Sequence, residues 1–266
     1  MDRPSLVAWH RFLTLRSGDS ELPRPNLIGV GAARAGTTTL FHILRDTPGV
    51  FMSEVKELRY FADRYDKWTE REYLLFFHGT EEVRWRGEFS PHYLHHPEAA
   101  HRIRLCNPDA HIVIQLRDPV QRALSQFRKH RTHHGMDDAD EYFALALDAH
   151  RSGTSPGRWW HPVHNLRQSF VRVGIDRFEA AFPEQQIHAV FLDDLEHDAQ
   201  AALSPLSGTL GLDLAPHASR HENRSTSTAA ERPLTATRRE ELASLFAPDW
   251  DHTCRRFGRE PSEFRL

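Results

Sequence analysis

The sequence predicts an α/β fold, a P-loop-like doubly wound parallel sheet of about five strands flanked by helices. Three observations carry that prediction. Residues 26–44 read NLIGVGAARAGTTTLFHIL, in which an apolar run (Leu27, Ile28, Val30) meets a glycine-bearing loop that opens into a helix. Residues 111–126 read HIVIQLRDPVQRALSQ, a β-branched run without alternation followed by a helical pattern, as expected of a strand covered on both faces. Between Asn26 and Leu192, strand-like and helix-like apolar segments alternate with no Gly/Ser linker, which favours one domain, 1–266, over two. Right-handed crossovers then collect ligands at the carboxyl ends of the strands.

In chain order, an N-terminal extension (1–24) precedes a first strand at Leu27–Gly31, whose apolar run ends in the glycine loop. A helix follows at Thr37–Arg45, then a short strand at Val50–Met52, a helix over 70–77 and a strand at Trp85–Phe89. The next helix spans 98–106, and the uninterrupted apolar run 112–116 is the fourth strand. Its helix starts at Pro119, which suits the first helical position, with Asp118 as N-cap, and runs to about 129. Within it Val120, Ala123, Leu124 and Phe127 fall at i, i+3, i+4 and i+7 and form the buried stripe, with Arg122, Ser125 and Lys129 opposite. Helices over 140–150 and 163–182, a strand at 187–192, and helices over 194–210 and 235–257 complete the pattern. The segment 213–233, rich in Ser, Thr, Arg and His, reads as a flexible loop.

The 26–44 unit is an anion site in physical terms. Unpaired first-turn amides and the positive end of the helix dipole face the loop, and Arg34 with Thr37, Thr38 and Thr39 adds side-chain donors. Gly31-x4-Gly36 has the spacing of a P-loop, but Thr37 stands where that loop needs its lysine. A dinucleotide fingerprint fits worse, because Arg34 stands where its third glycine belongs. Arg117 leaves the end of another strand, with Ser125 two turns along the following helix. Two phosphate-type sites at one sheet edge imply a ligand carrying two separated anionic groups.

These two segments resemble the 3′-phosphoadenosine 5′-phosphosulfate (PAPS)-dependent sulfotransferases, in particular the heparan sulfate O-sulfotransferases and their soluble bacterial relatives. Arg34-Ala35-Gly36-Thr37-Thr38 matches the family's 5′-phosphosulfate loop, and Arg117 to Phe127 matches every fixed position of its 3′-phosphate motif R-D-P-x-x-R-x-x-S-x-[YF]. The resemblance continues through Gly87 to Tyr93, through 186–195 and into the final helix. It implies a sulfotransferase fold, PAPS as sulfuryl donor, 3′,5′-bisphosphoadenosine (PAP) as product and no metal. It also implies that Arg34, Ala35, Gly36, Thr37, Thr38 and Thr39 hold the 5′-phosphosulfate and that Arg117 and Ser125 hold the 3′-phosphate. In the family the 213–233 region covers the nucleotide, which points to Arg220 and Arg224.

The segment 51–61, FMSEVKELRYF, resembles the family's K-E-x-x-F-F stretch, which puts the general base on Glu57 with Lys56 beside it. Glu54 is the neighbouring rival carboxylate. Histidine is the base in the phenol and steroid enzymes, and His92, with His95 close by, is its counterpart here. One departure stands out. The heparan sulfate enzymes carry E-K-T-P where this chain has Glu88-Phe89-Ser90-Pro91, so Lys56 or Arg34 must supply the missing charge. That change favours a small-molecule hydroxyl acceptor over a saccharide or glycolipid one, and Trp159-Trp160 in the variable middle suit such an acceptor. A kinase-like P-loop enzyme and a non-catalytic nucleotide-binding protein are the readings from other classes.

Bulk properties agree with this. A net charge of −3 gives no general electrostatic case for nucleic acid, although residues 128–134 are locally basic. Cys106 and Cys254 suit a reducing cytoplasm rather than a disulfide scaffold. No run is long enough to span a membrane, and residues 1–15 lack the pattern of a signal peptide. The spacings His92-x-x-His95-His96 and His130-x-x-His133-His134 are ligand-like but lack neighbouring Cys, so no metal site is expected.

Overall fold

A computed structural model describes residues 21–154, 157, 161–214 and 232–261. Arg220, Arg224, Trp159 and Trp160 lie outside the described residues. The strands are β1 (Leu27–Gly31), β2 (Val50–Met52), β3 (Trp85–Phe89), β4 (His111–Leu116) and β5 (Ile187–Phe191). They form one parallel sheet in the order β2-β3-β1-β4-β5. The helices are α1 (Thr37–Arg45), α2 (Glu70–Leu74), α3 (Ala99–Cys106), α4 (Pro119–His134), α5 (Ala139–Arg151), α6 (Pro162–Arg167), α7 (Arg172–Ala181), α8 (Leu192–His197), α9 (Ala199–Leu210) and α10 (Ala236–Arg256).

Alternating residues of the strands feed two apolar layers. Ile28, Val30, Ile112, Ile114 and Leu116 face Tyr73, Ile103, Phe178 and Trp250 on one side. Leu27 and Val113 face Leu40, Phe41 and Leu44 of α1 and Leu203, Leu206 and Leu210 of α9 on the other. Helices therefore cover both faces, which is why β4 needs no polar alternation. A third cluster gathers the α4 stripe of Val120, Ala123, Leu124 and Phe127 against α5, α6 and α10. Asp118 accepts a hydrogen bond from the Gln121 amide at 2.8 Å, Pro119 opens the helix, and Gly135 ends it at φ 64°. Among the described residues no helix is long and apolar enough to cross a membrane, and Cys106 and Cys254 are free and buried.

Three helices predicted as single pieces are divided. The 163–182 run breaks between α6 and α7 because Asp249 of α10 accepts from the Val171 and Arg172 amides (3.0 and 3.1 Å), which starts a second N-terminus. The 194–210 run breaks at Asp198, whose carboxylate caps α9 by accepting from the Ala201 amide at 3.0 Å. The 70–77 run tightens into a 3₁₀ turn at Leu75–Phe77. Part of the N-terminal extension docks on the core: Leu22 is buried and Arg24 pairs with Glu70.

Phe89, the residue in place of the expected lysine, is fully buried in the α1-side layer. Its ring occupies the space that a side chain at Gly29 would need, since a Cβ there would lie 2.0 Å from the ring. Gly29→Ala is therefore expected to destabilise the fold by about 2–3 kcal/mol. In a background already carrying Phe89→Ala the same change costs much less, as urea unfolding of the four-protein cycle would show.

Candidate functional site

The chain moves from β1 toward β2 and β3 on one side of the sheet and reaches β4 and β5 on the other, so β1 and β4 flank the switch point. The two loops that the motifs singled out leave these two neighbouring strands. They are tied at the base by the Ala32 amide, which donates to the Gln115 carbonyl at 2.5 Å. Gly36 caps α1 in the left-handed region (φ 83°) without any side-chain cap, so the helix start is left to its own amides. A Cβ on Gly36 would lie 2.6 Å from Leu192 and 3.0 Å from the Gln115 amide nitrogen, so only glycine fits there.

Arg34, Arg117 and Ser125 come together. The Arg34 Nε donates to Ser125 Oγ at 3.1 Å, and Arg117 Nη1 donates to the Arg34 carbonyl at 3.2 Å. Burial, then the Arg117 charge, lowers the Arg34 pKa; burial also lowers that of Arg117. Two desolvated guanidiniums held this close favour an anion between or above them. Thr37 is buried, while Thr38 and Thr39 are partly exposed. Ala35 is buried in the turn and contributes backbone only.

Arg122 occupies a place that its helical spacing does not reveal. The spacing sets it on the polar face of α4; in the structure it is 1% exposed. Its Nε donates to Ser169 Oγ, its Nη2 to the carbonyl and side-chain oxygens of Asn165, and its Nη1 to the Ala33 carbonyl at 3.5 Å. Burial brings its pKa down to about 9. It braces the 32–36 loop from beneath.

A second group of side chains gathers after β2 and β3. Lys56 Nζ lies 3.2 Å from Glu57 Oε1, with the Glu57 side chain 41% exposed and that of Lys56 20%. Burial lowers the Lys56 pKa, opposed by the Glu57 carboxylate, and Lys129 of α4 lowers it further. His92 lies on the exposed side of the turn Pro91–His95, yet local crowding and then Arg59 lower its pKa, while Glu57 raises it. Lys56, Glu57, His92 and Lys129 thus share one neighbourhood. Glu54 is exposed, one residue before buried Val55. His95 is pushed down to about 4, by burial first and then by Arg122. Among the described residues no three His, Cys, Asp or Glu side chains converge as metal ligands.

The backbone marks the same loops. Among the described residues the non-glycine positions with positive φ are Arg34 (70°), Glu57 (64°) and Arg59 (55°). Such conformations cost of order 1–3 kcal/mol each and persist where the surroundings over-determine them, often at functional sites.

A family model described as the sulfotransferase family matches residues 60–216, more than half of the chain. The chain belongs to the sulfotransferase family. The matched span includes the Arg117–Ser125 segment and begins after the Arg34 loop. Membrane-associated sulfotransferase kil1 of Dictyostelium discoideum is 32% identical over 105 residues, covering 39% of this chain and 22% of that protein. Heparan sulfate glucosamine 3-O-sulfotransferase 3A1 of Homo sapiens is 27% identical over 208 residues, covering 75% of this chain and 47% of that protein. The chain thus spans less than half the length of either curated relative. A solved sulfotransferase of Alicyclobacillus acidocaldarius has the same fold, with TM-score 0.72 and 24% identity over 92% of this chain and 100% of that one.

One sulfotransferase side chain in this edge escaped the sequence reading of roles. Glu88, at the end of β3, is fully buried, and burial raises its pKa from 4.5 to about 7 against the hydrogen bonds it accepts. Between those values the folded chain holds more proton than the unfolded one. The stability from neutral Glu88 is therefore complete below pH 4.5 and is lost as the pH rises through about 7. Relative to Glu88→Gln, wild type is expected to lose about 3 kcal/mol of unfolding free energy across that window. Urea titrations at pH 4.5, 6 and 8 would read the difference; parallel curves for the two proteins would contradict it.

Proposed function

We propose that this sulfotransferase moves the sulfuryl group of PAPS to a hydroxyl of a small-molecule acceptor, with Glu57 as general base. The observation that supports this most is the meeting of Arg34, Ser125 and Arg117, with the Lys56–Glu57 pair close enough to α4 for Lys56 to feel Lys129, one turn beyond Ser125. The site also fits a donor with two phosphate groups. Gly36 starts the helix without a side-chain cap, and among the described residues the Gln115 side-chain amide and the Arg117 Nε are buried without a hydrogen-bond partner. Buried polar atoms of that kind are costly unless something satisfies them.

In this reading Arg117 and Ser125 hold the 3′-phosphate. The amides and hydroxyls of Thr37 and Thr38, with Gly36 and the cation of Arg34, hold the 5′-phosphosulfate. Ala35 and Thr39 complete the turn. PAPS, when bound, supplies an activated sulfuryl group on a phosphate leaving group. Glu57 accepts the proton of the acceptor hydroxyl at a carboxylate oxygen, and Lys56 stabilises negative charge building on the transferred group. His92 lies near enough to be the alternative base. Phe89 is packed in the core, so Lys56 is the cation on this side. A saccharide acceptor is the second reading, favoured by the 75% coverage of this chain by the human glucosamine 3-O-sulfotransferase.

Isothermal titration with PAP, AMP and ATP–magnesium tests the donor site. PAP is expected to bind, AMP far more weakly, and Arg117→Ala to lose about 10–100-fold in PAP affinity. Preference for ATP–magnesium over PAP would return the chain to the nucleotide triphosphate class. Glu57→Gln is expected to lower kcat about 10²-fold or more with PAP affinity unchanged. Retained turnover would move the base to His92 or Glu54. Labelled PAPS offered with simple phenols and alcohols beside amino-sugar oligosaccharides separates the two acceptor readings.

A further inference from the structure

Glu88 is an expensive residue in its position. An apolar side chain of similar size would satisfy the layer around it, which includes Phe61, Tyr73 and Tyr93, without desolvating a carboxylate. What an apolar side chain lacks is acceptor capacity, and the carboxylate uses it fully. Ser90 Oγ donates to Glu88 Oε2 at 2.7 Å, and Tyr93 Oη donates to Oε1 at 2.6 Å. Tyr73 Oη donates to Oε1 at 3.3 Å, and the Leu58 backbone helps hold the Glu88 pKa down against burial.

Two of these hydroxyls each receive a backbone amide in turn. The Arg59 amide donates to Ser90 Oγ at 2.9 Å, and the Phe61 amide donates to Tyr93 Oη at 3.4 Å. The Glu57 amide donates to the Phe89 carbonyl at 3.0 Å. The amides of 57, 59 and 61 therefore end on a hydroxyl bound to Glu88 or on the strand residue beside it. This is the segment whose backbone turns left-handed at Glu57 and Arg59. Nothing local in its sequence, ELRYF, asks for that course, since neither residue is Gly or Asn. The acceptors that receive its amides lie at the end of β3 and in the turn after it.

We propose that Glu88 is the positioning residue of the acceptor side: through Ser90 and Tyr93 it holds 57–61 in the course that presents Glu57 and Lys56 at the sheet edge. The catalytic half of this proposal rests on the reading of Glu57 as base. Ser90 is the lever for testing it, because Ser90→Ala removes one relay and leaves the carboxylate with its other donors.

The experiment compares wild type, Ser90→Ala, Ser90→Thr, Glu88→Gln and Glu57→Gln at pH 8 with PAP bound. Amide exchange is followed residue by residue, and loss of labelled PAPS is followed with 4-nitrophenol and with water as probe acceptors. In Ser90→Ala the Arg59 amide is expected to exchange about tenfold faster, the worth of one hydrogen bond, with PAP affinity within about twofold of wild type. PAPS turnover falls by a similar factor through kcat, and Ser90→Thr, which keeps a hydroxyl, restores both. Exchange at 58–61 that matches wild type in both Ser90→Ala and Glu88→Gln overturns the proposal. So does faster exchange with wild-type turnover, provided Glu57→Gln has lost turnover. If Glu57→Gln itself keeps turnover, the base assignment fails; the exchange data then still decide whether Glu88 holds the loop.

Discussion

Parallel pairing of β1 with β4 is the constraint from which the rest of this site follows. Each strand ends at the same edge, so the loops after them begin side by side, and the Ala32 amide on the Gln115 carbonyl holds them together. The helices that follow then part: α1 packs in one apolar layer and α4 in a separate cluster with α5 and α10. Arg34 and Arg117 reach between the two loops where these helices start. Inserting another strand between β1 and β4 would separate these groups by roughly one further strand spacing of ~4.8 Å and abolish every one of these contacts.

Two buried ionisable groups of opposite sign stabilise the two halves of the edge. Arg122 carries donors only, and it takes up carbonyl and side-chain oxygens from Ala33, Asn165 and Ser169. Glu88, when ionised, carries acceptors only, and it takes up the hydroxyls of Ser90, Tyr93 and Tyr73, two of which in turn receive amides of the 57–61 loop. Each is matched to what its loop offers: a loop with carbonyls turned inward needs a guanidinium, and one with amides turned inward needs a carboxylate. Among the described residues neither charge touches an ion of opposite sign, so hydrogen bonding does the compensating. Burial shifts both pKa values toward the neutral form, Arg122 down to about 9 and Glu88 up to about 7.

How much of this the sequence reveals depends on range. The strand–loop–helix units are legible because their signals are local: an apolar run, a glycine at the turn, Asp118-Pro119 at a helix start, and a stripe at i, i+3, i+4 and i+7. The doubly wound parallel sheet and the family resemblance follow from two such units. Arg122 is illegible by the same means. Its spacing matches that of Ser125, and only Asn165 and Ser169, more than forty residues on, turn that face inward. The break at 168–171 is likewise set by Asp249 from a distant helix. Glu88 sits inside a recognised segment, but Tyr73 and the amides of 59 and 61 that reach its hydroxyl partners come from other elements, so no spacing rule links them.

Phe89 shows how one substitution redistributes charge along such an edge. Residues 88 and 89 point to opposite faces of β3, so the pair E-F sends its carboxylate to one apolar layer and its ring to the other. With Gly29 beside it on β1, the ring fills the α1-side layer, where a lysine would have to leave the core to find water. Lys56 stands instead on the loop after β2, 3.2 Å from Glu57, where the amides of 59 and 61 reach Ser90 and Tyr93. A charge moved from a strand to a loop is placed only as well as the loop is held. The left-handed turns at Glu57 and Arg59, and the buried hydroxyl that receives the Arg59 amide, are therefore the physical condition for Phe89 at this position.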